Sequence, residues 1–336
     1  MDMMKAWQCR SAPGPVEERL FLAPEGIPKP TITDSQVLVE TYSAALNPVE
    51  HKMLELDLAK KLMFRSPVTP GMDVCGRITK IGKNVTSFNV GDVVFGACEG
   101  VLGSGSIAEF VAVSKDAIAL VPEGQDLDSM ASIPAVGMTS YQALQPHVKQ
   151  STRVFINGGS GGTGVLSIQI AKALGCYVTT SCSTANIELC KSLGADEVLD
   201  YKSGDIIKQL QSKGQAFDVV LDNVGSPANL YKMSHTFLEP NGKFLQVGLG
   251  ISLSAIRQLV SNMMLPGFLG GGKRTYVLVT AKANTASFEQ LAKWIQEGKL
   301  RAVLDSTFEF DDVPKAFERL KTGRARGKVV VRVQRP

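Results

Sequence analysis

The sequence predicts an α/β protein, in which a β-rich part is joined to a doubly wound parallel sheet. Three observations carry this. Residues 154–164 read Val-Phe-Ile-Asn-Gly-Gly-Ser-Gly-Gly-Thr-Gly, and apolar positions at helical spacing follow, so the order is strand, glycine turn, helix. From Val154 onward short apolar runs alternate with helical stretches, the pattern of a parallel sheet covered on both faces. Before residue 125, short runs are punctuated by glycine and proline, as in a small barrel or sandwich.

In chain order, Val37, Val39 and Thr41 alternate with Leu38, Glu40 and Tyr42, as in a half-buried strand. Further strands are predicted over 77–81, 90–95 and 110–113, and 48–62, rich in Leu, Lys and Glu, as a helix. Pro122-Glu123-Gly124 marks a boundary. The predicted division is 1–125, then 126–272 as the nucleotide-binding part, then 273–336 returning to the first domain. Strands are expected at 154–156, 177–181, 197–199, 218–222 and 244–247, with helices at 186–193, 206–211 and 230–238. Gly267 and Gly270–Gly272 read as a mobile connection, followed by a strand at 276–280, a helix at 287–297 and a last strand at 329–333.

Gly159-x-Gly161-x-x-Gly164 fits the dinucleotide fingerprint. The first glycine permits the tight turn, the second admits a pyrophosphate to the backbone, and the third seats the helix on the strand. Ser160 and Thr163 add hydroxyl donors. An NAD site usually carries a carboxylate about 20 residues on, at the end of the second strand. Here that strand ends Thr179-Thr180-Ser181-Cys182-Ser183-Thr184, with no acid until Glu188, so NADPH is the expected cofactor.

A net charge of +4 over 336 residues is too small to point to a nucleic-acid partner. The six cysteines form no C-x-x-C pair and read as reduced, buried thiols. His51, His147 and His235 stand near no cysteine, so no metal site is expected. No apolar run is long enough to span a membrane, and the acid-bearing start is unlike a cleaved leader. A cytoplasmic protein is expected, or one peripheral to a membrane or held uncleaved in a chloroplast or mitochondrion.

These motifs resemble the medium-chain dehydrogenase/reductase superfamily over nearly the whole chain. The residues concerned are Gly71-Met72-Asp73-Val74-Cys75-Gly76, Gly91-Asp92-Val93-Val94 and the glycine turn. Zinc-dependent members carry Gly-His-Glu where Gly71-Met72-Asp73 stands, so the chain is similar to the zinc-free quinone oxidoreductase branch. The stretches 46–52, 192–202, 221–225 and 323–328 look like the chloroplast-envelope quinone oxidoreductase homologues and the reticulon-interacting oxidoreductases.

The resemblance implies a GroES-like catalytic domain, a Rossmann domain binding NADPH, and a homodimer. It also implies reduction of a small quinone or an α,β-unsaturated carbonyl. A pathway-specific enoyl reductase with a pocket shaped by 251–269, and a non-catalytic NADPH-binding regulator, are its alternatives. By position, Ser160, Gly161, Gly162 and Thr163 would hold the pyrophosphate, and Ser183 and Tyr201 the 2′-phosphate end. Asn223, Val247, Gly248 and Leu249 would line the ribose and nicotinamide. Arg324 and Arg326 would reach over the nucleotide, or else form a solvated basic turn, and Asn47 would lie near the nicotinamide. Many quinone reductases place a tyrosine shortly after that asparagine. Lys52-Met53-Leu54-Glu55 stands there instead, which makes Lys52 a candidate proton donor or substrate-positioning group, or simply a solvated lysine.

Overall fold

The computed structural model describes residues 2–55, 67–98, 104–248, 253–264 and 271–336. They form two compact units, Met1–Met138 with Ala283–Pro336, and Thr139–Lys282. Both boundaries fall later than the predicted 125/126 and 272/273. Packing explains the shift. The helix Leu127–Ala131, just past the predicted boundary, packs on strands of the first unit, and the strand Thr275–Leu278 completes the sheet of the second.

The first unit is built on β1, Gln36–Leu46, which is longer than its predicted alternating core. It pairs antiparallel with β2 (Asp73–Ile81), which pairs in turn with β3 (Val93–Ala97). On its other edge β1 takes β4 (Phe110–Ser114), while β5 (Ile118–Leu120) pairs with β3. Register shifts at Leu38/Val39 and Thr41/Ser43 bend β1, which lets one strand serve so many partners. Val37, Val39, Val74, Ile78, Val94, Val111 and Val113 close the core on one face. Gly76 sits where a Cβ would lie 2.0 Å from the Glu40 carbonyl oxygen, so the β1–β2 ladder closes only around glycine.

Helix α1 (Pro48–Glu55) follows β1; the rest of the predicted 48–62 helix lies outside the described residues. Helix α2 (Leu127–Ala131) is capped by Asp126, whose carboxylate accepts from Ser129 N–H at 2.8 Å. Helix α3 (Pro134–Leu144) carries the chain into the second unit.

There β6 (Arg153–Asn157), α4 (Gly162–Ala173), β7 (Tyr177–Cys182), α5 (Ile187–Ser192), β8 (Glu197–Asp200) and α6 (Ile206–Gln211) alternate, followed by β9 (Phe217–Asp222), β10 (Leu238–Gln246), α7 (Leu253–Met264) and β11 (Thr275–Leu278). The sheet order is β8-β7-β6-β9-β10-β11, and every pairing is parallel. The chain winds outward from β6 to β8 and crosses back to β9, so the switch point lies between β6 and β9. Val154, Phe155, Ile156, Val220 and Leu221 are fully buried, as strands covered on both faces require.

The helix predicted over 230–238 is only Leu230–Met233 with a 3-10 turn, and β10 starts already at Leu238. Phe237 and Leu238 are buried in the core under the sheet, where a continued helix would not carry them.

The chain then returns to the first unit with α8 (Thr285–Gln296), β12 (Leu304–Glu309), α9 (Val313–Lys321) and β13 (Lys328–Arg332). Strand β13 pairs with both β12 and β1. Among the described residues no helix is long and apolar enough to cross a membrane.

Gly76→Ala is expected to destabilise the first unit by about 1–3 kcal/mol, because the methyl group must push the β1 backbone aside. Thermal melting reads this; a melting point equal to that of the unsubstituted chain would contradict the close approach.

Candidate active site

The glycine turn sits between β6 and α4. Three of its glycines are required by the chain itself. Gly158 has a φ of +83°. A Cβ on Gly159 would lie 2.2 Å from Thr180 Oγ1, and one on Gly164 would lie 2.0 Å from the Gly158 carbonyl oxygen. Gly161 differs. It caps α4 in an extended conformation that any residue adopts, and a Cβ there would meet only the Gly158 oxygen, at an ordinary 3.7 Å. Among the described residues nothing demands glycine at that position. The first bond of the helix runs from Val165 N–H to Gly161 O at 3.0 Å, leaving the N–H groups of Gly162, Thr163 and Gly164 without an intrahelical acceptor. Helix N–H groups without an intrahelical acceptor, beside a glycine that no described residue crowds, suit an approaching phosphate.

Just past β7, Asn186 Nδ2 donates to Ser160 Oγ at 3.0 Å and to Ser183 Oγ at 3.2 Å, while its buried Oδ1 has no partner among the described residues. The sequence reading missed Asn186, which stands past the strand in a short 3-10 turn. It also missed Asp200. Linear distance hid that carboxylate, but the β7–β8 register sets it opposite Cys182. Thr184 Oγ1 donates to it at 2.5 Å and Lys202 N–H at 2.8 Å, and the Thr184 bond holds its carboxyl below the usual range. The absence of an acid close by in sequence is therefore not an absence in space. Tyr201 is largely exposed, with Lys202 Nζ 5.8 Å from its ring centre.

At the switch point Asn157 Nδ2 donates to Asp222 Oδ1 at 2.9 Å, and Val224 N–H and Gly225 N–H bond the same oxygen. Burial pushes the Asp222 carboxyl up while those donors oppose it. Asn223 Nδ2 donates to Ser167 Oγ at 3.3 Å, and its buried Oδ1 has no partner among the described residues. The N–H groups of Val247 and Gly248 both donate to the Asp222 carbonyl oxygen, at 2.9 and 3.0 Å. Ser160, Gly161, Gly162, Thr163, Ser183, Asn223, Val247 and Gly248 thus all lie at or just beyond the carboxyl ends of β6, β7, β9 and β10. Leu249 lies outside the described residues. Of the 251–269 segment, α7 lends Gln258, Leu259 and Asn262 to a cavity of about 30 Å³ behind Asp222 and Tyr276. That volume suits one or two waters rather than an organic substrate.

Four of the named residues belong to the first unit. Asn47 is buried at 5% exposure in a polar knot. Lys328 Nζ donates to Asn47 Oδ1 at 2.6 Å, Asp73 Oδ2 at 3.0 Å and Leu46 O at 3.0 Å. Asn47 Nδ2 donates to Asp73 Oδ2 at 3.0 Å and Glu50 Oε1 at 3.2 Å, so both amide hydrogens are engaged within the chain. Asp73 Oδ1 also accepts from Ala135 N–H at the start of α3, at 2.8 Å. Burial pushes the Glu50 carboxyl up to about 8, with Asp73 adding to the rise and Lys328 opposing it. Glu50 is therefore the acid of this knot that stays neutral near pH 7. Lys52 is half-buried on α1. Arg324 and Arg326 are exposed in the turn between α9 and β13, where Arg326 N–H bonds Asp305 Oδ1 at 2.8 Å.

Among the described residues no group of three His, Cys, Asp or Glu could hold a metal ion. Met72 packs instead at the edge of the apolar cluster that contains Trp7, Leu46 and Phe317.

Residues 33–123 match the alcohol dehydrogenase GroES-like domain and residues 193–331 the zinc-binding dehydrogenase family. The quinone oxidoreductase of Coxiella burnetii superposes with a TM-score of 0.86 at 31% identity, covering 99% of this chain and all of that one. The trans-enoyl reductase pgmF of Aspergillus terreus is 43% identical over 98% of this chain and 96% of its own length. The chain belongs to the zinc-free quinone oxidoreductase branch of the medium-chain dehydrogenase/reductase superfamily. It is an oxidoreductase. A third relative of this oxidoreductase, the 2-methylene-furan-3-one reductase of Solanum lycopersicum, is 33% identical over 98% of this chain and 79% of that protein. Oxidoreductases of this superfamily take a nicotinamide cofactor, and the residues fit one. Among the described residues Gly161 meets no close neighbour, the first three N–H groups of α4 have no intrahelical acceptor, and Asn186 and Asn223 each hold a buried oxygen with no partner.

The knot around Asn47 sets a pH dependence for this oxidoreductase. The Glu50 carboxyl titrates at its ordinary 4.5 when unfolded and at about 8 when folded. Below 4.5 it is neutral in both states and burying it carries no ionisation cost. As pH rises toward 8 the unfolded state gains by ionising and the folded state does not, at about 1.4 kcal/mol per pH unit. Glu50→Gln is expected to remove that slope, so its melting point should gain on that of the parent chain between roughly pH 5 and 8. Melting curves that stay parallel across this range would contradict the neutral acid.

Proposed function

We propose that this oxidoreductase uses NADPH to reduce quinones or the activated C=C bond of α,β-unsaturated carbonyls, without zinc. The observation that carries the reading is Gly161, a glycine that a ligand explains and that no side chain or backbone among the described residues requires. When bound, the nicotinamide supplies the hydride. The chain's own part is to bind and orient. The N–H groups of Gly162, Thr163 and Gly164 take the pyrophosphate. Ser183 and Tyr201 take the phosphorylated ribose, and Ser160, expected at the pyrophosphate, is assigned to that ribose phosphate as well because Asn186 links it to Ser183. The buried Oδ1 of Asn223 accepts from a hydroxyl or amide of the other half, flanked by Val247, Gly248 and Leu249. Asn47 is assigned a positioning task, because its amide hydrogens are engaged by Asp73 and Glu50, and it ties α1 to β2 and β13. Lys52 as proton donor, and Arg324 and Arg326 as nucleotide contacts, are assignments to be tested by single substitutions. A homodimer is the proposed assembly.

Zinc-free turnover is supported by Met72 in the place of a ligand histidine, and by Lys328, whose ammonium group already fills the acidic centre of the first unit. A conjugated acceptor suits such a site, since it needs donors for a developing oxyanion rather than a Lewis acid. The relative named as a trans-enoyl reductase favours a second reading, a dedicated reductase of one trans-enoyl compound.

Gly161→Ala is expected to keep its melting point while losing about tenfold or more in NADPH affinity. Asn223→Ala is expected to lower kcat/KM by about tenfold on every acceptor alike. NADPH oxidation against quinones, small enones and trans-enoyl compounds separates the two readings by breadth. Turnover of none of these classes, or turnover that requires added zinc, would overturn the proposal.

A further inference from the structure

Asn186 joins three pieces of chain that the sequence keeps apart. The 3-10 turn after β7 folds back through the Asn186 N–H to Ser183 O bond of 2.8 Å. That places the Asn186 side chain between Ser183, at the end of β7, and Ser160, in the glycine turn. Both hydrogens of its amide are then used, one on each hydroxyl oxygen, at 3.0 and 3.2 Å.

The consequence is chemical. A serine hydroxyl that accepts from an amide keeps its own hydrogen for another partner. Ser160 and Ser183 are thus both set as donors by one side chain. Two donors held on one amide suit a group that offers only acceptors, which is what an ionised phosphate monoester is. A ribose hydroxyl brings a hydrogen of its own and needs an acceptor as well. Asp200, set opposite Cys182 by the strand register, accepts from Thr184 Oγ1 and Lys202 N–H, and no bond ties it to Ser160 or Ser183 among the described residues.

We propose that Asn186 is the residue that sets this enzyme's nucleotide preference, by holding Ser160 and Ser183 as a donor pair for the 2′-phosphate of NADPH. The inference rests on the nicotinamide nucleotide reading above and adds a determinant to it. Asn186 acts through the two serines.

Asn186→Asp is the decisive variant. It keeps the shape, but a carboxylate accepts from both hydroxyls, turns their hydrogens inward and adds a negative charge. Dissociation constants for NADPH and NADH, and for 2′-AMP and 5′-AMP, are measured on the full chain by calorimetry. The unsubstituted chain is expected to bind NADPH about tenfold or more tighter than NADH. Asn186→Asp is expected to lose about 100-fold in NADPH affinity while NADH changes by less than about threefold. Asn186→Ala, which removes the orienting bonds without adding charge, should lose about tenfold for NADPH and for 2′-AMP, with NADH and 5′-AMP nearly unmoved. Retained NADH affinity shows that both variants are folded. An equal loss for both nucleotides would make Asn186 merely structural. An unchanged ratio in Asn186→Asp would mean the serines already donate to Asn186, and either result overturns the inference. A parent chain that prefers NADH would overturn it too and leave the reductase reading standing, whereas a chain that binds neither nucleotide would remove both.

Discussion

Helix α4 can begin where it does only because no side chain stands between it and the turn that feeds it. The space at Gly164 is filled to within 2.0 Å by the Gly158 carbonyl oxygen, and that at Gly159 to within 2.2 Å by Thr180. This contact draws the helix onto β6 and sets its first turn at the carboxyl end of that strand. The rest of the second unit serves that edge. The switch between β6 and β9 opens space there, Asp222 fastens the turn with backbone donors, and Asn157 links the two strand ends. A fully buried strand core fixes these positions, because neither face of β6 or β9 can shift without exposing Phe155 or Val220.

The first unit solves a different problem, the burial of charge. Glu50 and Asp73 are both fully buried beside a single ammonium group, from Lys328. A buried pair is costly to break, because removing one partner strands the other. Here the third group escapes that cost by staying protonated. The result joins the ends of β1, α1, β2 and β13 and the start of α3 with directional bonds instead of apolar contacts. Such bonds fix Asn47 in one orientation, which apolar packing would not do.

Local signals explain which parts of the fold could be read in advance. Strands buried on both faces announce themselves as apolar runs, and 154–156, 177–181 and 218–222 lie within the observed β6, β7 and β9. The helix predicted over 206–211 matches α6. Strand β12 was not legible, because Leu304–Glu309 is half-buried along most of its length and shows no alternation. Helix α9 was missed although Val313, Ala316, Phe317 and Leu320 mark a regular apolar face, a signal available at helical spacing. The unit boundaries were misplaced because turn residues mark where a chain bends, not which core the next element joins.

The sequence by itself determined the fold class and the glycine turn, since each depends on neighbours a few positions apart. Tertiary structure alone decided the chemistry of the partners. It carried Asp200 across a strand pairing to Cys182, set Asn186 against Ser160, and enclosed Asn47 with Asp73 and Lys328 from strands far along the chain. The physical reason is that a hydrogen bond or ion pair depends on distance in space, and only the packed sheets bring those groups within reach.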